Sequence, residues 1–212
     1  LASTHGWRVY RWSLMFLLGK AFRETFSQAA IRVRHPIGGG LFYSVDWHGA
    51  DRGDPAAAIR AVETRMRDIV GQDLAVDCFL LSYEAAIDRL MQSGQNDQLH
   101  LLKYRNPPQV LLTRCGDFID MRHEPLVHRT GLLAHFALTP YESGFVLRLP
   151  SQNHPQQVAP LNPNPHLVRI YQEHIAWGRI LGITTVGELN AAIDDRRADD
   201  VIGTVEALHD KK

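Results

Sequence analysis

The chain has 212 residues, enough for one large domain or for one domain with an appendage. Hydrophobic residues make up 45% of it, an ordinary share that supports a real core. Lysine and arginine together number 23, as do aspartate and glutamate, so the formal net charge is zero. This balance excludes a bulk charge that would draw the chain toward nucleic acid or an anionic membrane, although it leaves room for a local basic patch.

The two cysteines, Cys78 and Cys115, lie far apart and form no CxxC pair. Such usage fits a reducing compartment and argues against a thiolate zinc site. The longest apolar run, Leu14 to Leu18, is far too short to span a bilayer, so no membrane contact is expected. Because the first residue is Leu1 rather than Met and no signal-peptide pattern is visible, we expect a piece excised from a longer cytoplasmic protein.

The first part of the sequence predicts a helix followed by a β-hairpin. Apolar residues recur at helical spacing over residues 13–26. Residues 31–33 and 41–46 have strand composition, and Gly38-Gly39-Gly40 predicts the tight turn that joins them. A glycine run can also cradle phosphate, but no helix follows to present amide groups, so the turn is favoured.

Further helices and strands follow the hairpin. Asp54-Pro55 starts a long helix with an N-cap acid and a proline, and Gly71 ends it. A strand over residues 76–81 and a short helix capped by Ser82 come next. Four strand-like segments then suggest an antiparallel sheet: residues 110–115, 117–121, 132–138 and 145–149. Helical patterns also cover residues 97–104, 167–181, 185–193 and 201–208, and a proline-rich loop covers residues 150–165.

The densest patch of potential chemistry lies between Cys115 and Leu133. Pro125 predicts a turn here, because proline has no amide proton and biases Glu124 away from helix. Two histidines, an arginine and two acids lie in this turn. His123 and His128 resemble a zinc-protease HExxH motif at a glance, but they are five residues apart with proline between them. That motif is therefore rejected, and the remaining scattered histidines are interpreted as surface or satisfied core residues.

The pair Gly19-Lys20 resembles the end of a phosphate-binding P-loop, but its context is wrong. The pattern GxxxxGK[ST] needs glycine at position 14 and serine or threonine at position 21, where the sequence has Leu14 and Ala21. The pair also lies inside the first amphipathic helix. This chain has no P-loop of its own, and we expect it to bind no cofactor.

The order of these elements, with the FIDM strand and the proline that follows it, resembles the second, editing-type domain of threonyl-tRNA synthetase and its alanyl-tRNA synthetase relatives. The resemblance covers about residues 10–150. The residues that carry it are Leu17-Leu18-Gly19, Ile37 to Asp46, Glu63 to Arg67, Phe118 to Pro125 and His135-Phe136. It implies an α+β fold with an antiparallel or mixed sheet, packed helices and a C-terminal helical extension.

In that family the first helix carries HxxxH and the later turn carries CxxxH, and together they ligate a metal ion around the aminoacyl ester. The corresponding positions in this chain are Phe16, Lys20, Arg122 and Leu126. Phenylalanine and leucine have no donor atom, while lysine and arginine are normally cationic, so none is a usable zinc ligand. The resemblance therefore implies that the metal centre is lost.

A second resemblance extends over nearly the whole chain. Bacterial uridine (nucleoside) kinase-like proteins place the same domain ahead of a P-loop kinase domain and have also lost these ligands. The matching residues include Arg11 to Leu14, Leu101 to Arg105, Gly144 to Arg148, Trp177-Gly178 and Val186 to Asn190. This resemblance implies an editing-like domain over residues 1–150, a loop and helical extension over 151–198, and the start of a linker helix over 199–212.

The function implied is that of a non-catalytic N-terminal module of a uridine kinase-like phosphotransferase. Its partner in cis is a P-loop kinase domain, absent from this chain, that uses ATP and magnesium. Cations at two former ligand positions make a phosphate-bearing small molecule or an RNA 3′ end a candidate ligand. The candidate ligand-binding residues are Lys20, Tyr43, Lys103, Arg122, His123 and His128.

Three alternatives stay open. In the first, Lys20 and Arg122 simply point to solvent or pair with Asp120 and Glu124. In the second, the chain is a metal-independent aminoacyl-tRNA deacylase, which needs a general base and an oriented water; His123 or His128 is the candidate base. In the third, it is an RNA-binding or interaction module, which the balanced charge disfavours.

Overall fold

The computed structural model describes residues 3–49, 53–93, 98–99, 101–102, 107–121, 124–158, 160–162 and 165–183, with isolated positions beyond them. The chain divides into two compact units. One contains residues 1–80 and 111–163, and the other contains residues 81–110 and 164–212. Most residues of the helices expected over 97–104, 185–193 and 201–208 lie outside the described residues, and the described ones, such as residues 98–99, 101–102, 188 and 203, are helical.

Two packed helices organise the first unit. Helix α1 spans Thr4–Thr25 and begins well before the predicted residue 13, because the Ser3 hydroxyl caps it by accepting a hydrogen bond from the Gly6 amide at 3.0 Å. Helix α2 spans Pro55–Gln72, and the carboxylate of Asp54 caps its first turn, as predicted. The two helices pack against each other through their apolar faces.

A four-stranded antiparallel sheet covers one side of these helices. Its strands are β1 (Ala30–Ile37), β2 (Gly40–Asp46), β6 (Ala137–Tyr141) and β7 (Gly144–Arg148), in the order β1-β2-β7-β6. Strands β1 and β2 form the predicted hairpin, with Gly38 and Gly39 at positive φ in its turn. Inward side chains of the sheet and of both helices share one core, which includes Leu14, Phe22, Leu41, Val62 and Phe145.

The strand predicted over residues 132–138 is placed differently in the structure, so that prediction was wrong in position. Residues Thr130–Leu132 form a 3-10 turn, and the strand begins at Ala137. Pro140 lies inside β6, opposite Phe145. A proline is tolerated there because β6 is an edge strand, where a missing amide donor breaks no ladder.

A separate three-stranded sheet contains β3 (Asp77–Ser82), β4 (Gln109–Cys115) and β5 (Phe118–Met121), in that order. The four later strand segments therefore belong to two sheets and not to one. Strands β4 and β5 are antiparallel, with Cys115 opposite Phe118. Gly116 makes the turn between them at a φ of 59°, a conformation that glycine adopts without strain.

The second unit contains helices α3 (Tyr83–Gln92) and α4 (Pro165–Leu181). Helix α3 is capped, as predicted, by the Ser82 hydroxyl, while α4 is followed by Gly182 at a φ of 67°. Among the helices of the described ranges, none has both the length and the apolar character needed to cross a bilayer. The described chain has antiparallel sheets and packed helices, which confirms the predicted α+β class.

Candidate functional site

A small cleft lies where α1 meets the β4–β5 turn and the segment over residues 124–133. Three of the four residues that the resemblance assigns to metal-ligand positions line it: Phe16, Lys20 and Leu126. The fourth, Arg122, lies outside the described residues. The empty space is about 230 Å³, including open solvent, and is too narrow to admit a water molecule. The lining is completed by Ser13, Leu17, Val76, Cys115, Val127, Thr130 and Leu133.

Phe16 packs into the wall of the cleft on α1. Its side chain is 2% exposed, and its ring meets that of Phe118 edge-on, with the centroids 5.3 Å apart. An aromatic pair of this geometry adds attraction beyond the area it buries. The position has therefore become part of the packing between α1 and β5.

Lys20 is the cation among the described residues that line the cleft, and it is 4% exposed. Its Nζ donates to Oε1 of Glu24 at 2.6 Å, one helical turn further along α1. The other carboxylate oxygen of Glu24 accepts from Nε of Arg65 on α2 at 2.8 Å. The charge of Lys20 is therefore compensated inside the protein, by Glu24 and not by Asp120 or Glu124. Glu124 instead pairs with Arg8 at 3.0 Å.

The environment of Glu24 favours its charged form. Burial works to raise the pKa of this carboxyl, but the hydrogen bonds from Lys20 and Arg65 outweigh it and hold the pKa below its ordinary value. The three side chains therefore form a row of alternating charge that links α1 to α2.

Cys115 presents a buried thiol to the same cleft. Burial raises its pKa, and the nearby ammonium of Lys20 only partly opposes this effect. A thiol that stays protonated at neutral pH is a poor nucleophile and a poor metal ligand. The Cys115 thiol in this cleft therefore lacks the reactivity of a thiolate.

The other candidate residues lie elsewhere or cannot be placed. Tyr43 belongs to the core of the first unit, where its ring stacks on that of Phe145 with the centroids 5.5 Å apart. His128 is exposed, and its carbonyl accepts a hydrogen bond from the Val76 amide. Lys103, Arg122 and His123 lie outside the described residues. Of the candidates that the structure describes, only Lys20 lines the cleft.

The segment that closes the cleft is held by polar contacts at both ends. The Ser13 hydroxyl accepts a hydrogen bond from the Val127 amide at 2.9 Å and donates to the Val9 carbonyl at 2.7 Å. The buried Thr130 hydroxyl donates to the Ile69 carbonyl and accepts from the Leu74 amide, both at 2.8 Å. These hydrogen bonds hold Leu126 and Val127 against α1, and they give the buried Ser13 and Thr130 hydroxyls their hydrogen-bond partners.

The donor set of this cleft does not fit a catalytic zinc ion. Zinc needs deprotonated thiolates, neutral imidazoles or carboxylates. The described ligand positions instead supply a benzyl group, an isobutyl group and an ammonium that is bound to a carboxylate. Within the described ranges no group of three or more His, Cys, Asp or Glu side chains is placed to hold a metal ion.

No family model matches the chain, but several curated proteins are similar to it. The threonine–tRNA ligase of Coxiella burnetii is 30% identical over 136 residues, which are 63% of this chain and 20% of the ligase. The threonine–tRNA ligase of Acidithiobacillus ferrooxidans is 30% identical over 138 residues, 64% of this chain and 21% of the ligase. Threonine–tRNA ligase 2 of Bacillus subtilis is 25% identical over 140 residues, 66% of this chain and 22% of the ligase.

These similarities define the chain as a homologue of one segment of threonine–tRNA ligases. The chain spans about a fifth of the length of these relatives. They support the threonyl-tRNA synthetase-like domain that the sequence predicted.

Proposed function

We propose that this chain is a non-catalytic module of the threonyl-tRNA synthetase editing type, in which packing has replaced the metal site. The observation that supports this most directly is the convergence of Phe16, Lys20 and Leu126 on one cleft. In this proposal these residues occupy the positions of the family's metal ligands and offer no donor for zinc.

The described residues that line this cleft supply none of the groups that hydrolysis of an ester requires. A general base must reach an attacking water, and a charged group must stabilise the oxyanion that forms. The cleft has no room for that water, and the ammonium of Lys20 is bound to Glu24. His128, the described candidate base, is exposed and outside the cleft lining. We therefore favour the non-catalytic module over a metal-independent deacylase.

The test combines metal analysis with deacylation of mischarged tRNA by the purified chain. We expect no stoichiometric zinc after dialysis and no hydrolysis above the uncatalysed rate, with or without a chelator. One zinc ion per chain, or hydrolysis that scales with protein concentration, would overturn the proposal.

A positive control can be built from the chain itself. The variant Phe16→His/Lys20→His/Arg122→Cys/Leu126→His restores the HxxxH and CxxxH pattern at the four positions. If the cleft descends from a metal site, this variant gains one bound zinc ion under conditions in which the parent chain binds none. A variant that folds but binds no zinc would argue against the alignment of these positions.

We further propose that the module belongs to a uridine kinase-like phosphotransferase with a P-loop domain after Lys212. The support is the resemblance at Gly144 to Arg148, Trp177-Gly178 and Val186 to Asn190. In this proposal the chemistry uses ATP and magnesium in the kinase domain, and this chain supplies neither the amide cradle nor the phosphate-binding lysine. The gene sequence beyond Lys212 tests this proposal, because a GxxxxGK[ST] pattern is expected there. Absence of that pattern would contradict the kinase assignment.

A further inference from the structure

Helix α2 supplies the hydrogen bonds that a further strand would supply at one edge of the four-stranded sheet. Strand β6 ends the order β1-β2-β7-β6, so one of its two sides carries no strand among the described residues. The Leu138 amide nevertheless donates to Oε2 of Glu63 at 2.9 Å, and the Phe136 carbonyl accepts from the Arg67 guanidinium at 3.0 Å. Glu63 and Arg67 both belong to α2.

The alternation of an antiparallel strand explains why these two backbone groups are available. Every second residue turns its N–H and C=O away from the neighbouring strand. Phe136 and Leu138 share this outward direction, and Pro140 is the next residue in the same series. Proline has no N–H to donate. Within β6 as the structure describes it, one outward amide is therefore bound by Glu63, and the next outward position has no amide.

Glu63 and Arg67 reach this edge as an ion pair. Oε1 of Glu63 accepts from the Arg67 guanidinium at 2.6 Å, one helical turn away, so each charge has a partner while each side chain also contacts the β6 backbone. The guanidinium also lies over the Phe136 ring, 4.7 Å from its centroid. A strand that approached this edge would have to displace two side chains that charge-assisted hydrogen bonds hold in place.

We infer that the Glu63–Arg67 pair blocks the β6 edge, so that β6 does not add a strand of another polypeptide. This inference is independent of the proposed function, because neither residue is among those that line the cleft. Natural proteins close sheet edges with charged side chains and with proline, and β6 combines both. The two side chains act together, since Glu63 occupies the amide and Arg67 occupies the carbonyl.

Hydrogen exchange of the Leu138 amide, followed by NMR, tests the first step. Glu63→Ala removes the acceptor, and we expect this amide to exchange about fivefold faster than in the parent chain. The amides paired between β2 and β7 should keep their rates. Arg60→Ala is the matched control, because Arg60 is exposed on the same helix and pairs with Asp54. An unchanged rate at Leu138, or an equal acceleration in β2 and β7, overturns the inference.

Sedimentation of the double variant Glu63→Ala/Arg67→Ala tests the second step. A copy of the chain is the strand available in a purified sample, so it serves as the probe of an open edge. We expect a mass that rises with concentration above that of the parent chain and of Arg60→Ala. The milder variant Arg67→Met keeps an aliphatic side chain over Phe136 and should show a smaller rise.

The associated form has its own signature in hydrogen exchange. The Leu138 amide should regain its protection there, because the added strand takes the place of Glu63. An associated form that leaves this amide unprotected overturns the inference. So does an unchanged mass in both variants, since the pair would then be only a contact between helix and sheet.

Discussion

Two ion-paired networks border the cleft, and they differ in how far water reaches them. In the first, the side chains of Lys20 and Glu24 are 5% and 30% exposed. In the second, Arg129 and Asp73 are 54% and 45% exposed, although their closest atoms are 2.7 Å apart. Water screens the exposed pair and leaves little net attraction, whereas an uncompensated charge in the interior is costly. Two ion pairs of similar length therefore contribute different free energies.

The exposed network contributes mainly through the backbone that it positions. Asp73 ends α2 in a left-handed conformation, and its carboxylate accepts from the Gly131 amide at 3.0 Å. Arg129 donates both to this carboxylate and to the Asp73 carbonyl. Between these two contacts lies Thr130, which is 1% exposed. The network thus holds the 3-10 turn, and through it the segment that closes the cleft.

The largest effect is expected when the buried network is broken on one side. Glu24→Ala removes the partner of Lys20 and leaves an ammonium with 4% exposure uncompensated. We expect the free energy of unfolding to fall by about 2–3 kcal/mol, less than for a fully buried pair because Glu24 itself is partly exposed. Urea denaturation at neutral pH measures this change.

The matched variant Lys20→Met removes the buried charge and keeps the length of the side chain. Glu24 then retains Arg65 as its partner. The free energy of unfolding should change by less than about 1 kcal/mol, because an apolar replacement for a buried charge is often neutral. If Lys20→Met were as damaging as Glu24→Ala, the cost would lie in packing and not in an unpaired charge.

A smaller loss is expected at the turn between the two networks. Thr130→Val keeps the shape of the side chain but removes a hydroxyl that both donates to the Ile69 carbonyl and accepts from the Leu74 amide. We expect the free energy of unfolding to fall by about 1–2 kcal/mol, because buried backbone groups lose their partner. Thr130→Ser keeps the hydroxyl and serves as the control in the same denaturation experiment; an equal loss in both variants would point to packing as the cause.

The sequence predicted the features of the fold that depend on neighbouring residues, such as helix caps and tight turns. Asp54 and Ser82 cap helices as expected, and Gly38-Gly39 turns the first hairpin. The start of α1 was placed too late because its first turns contain polar residues, although Ser3 caps it. The position of β6 was wrong because Pro140 is acceptable only on an edge strand, and edge position is a property of the assembled sheet.

The site was predictable in outline but not in its contacts. Phe16, Lys20 and Leu126 line one cleft, whereas the predicted contact of Lys20 with Arg122 stays a prediction because Arg122 lies outside the described residues. The partner of Lys20 had a local signal, since Glu24 follows it by four residues on one helix. No sequence signal predicted that Cys115 lines the same cleft, because this contact depends on how β4 packs beside α1. Tyr43 was expected near the cleft, but its ring stacks on Phe145 in the core. The register of β2 against β7 decides this position, and the sequence does not reveal that register.

The smallest effect is expected in the exposed network, and it should depend on pH. Hydrogen bonding from Arg129 is the largest influence on the pKa of Asp73 and lowers it, burial opposes this shift, and the hydrogen bond from the Gly131 amide lowers the pKa further. A carboxyl whose pKa is depressed in the folded state stabilises that state above its ordinary pKa, and this stabilisation is lost as the pH falls through the folded value. Asp73→Asn should therefore be less stable than the parent chain at about pH 7, and the difference should shrink at about pH 3. Asp68→Asn makes the same change at an exposed position of the same helix and is the matched control. Urea denaturation of the three proteins at both pH values gives the answer, and a difference that stays constant with pH would show that Asp73 acts through its shape and not through its charge.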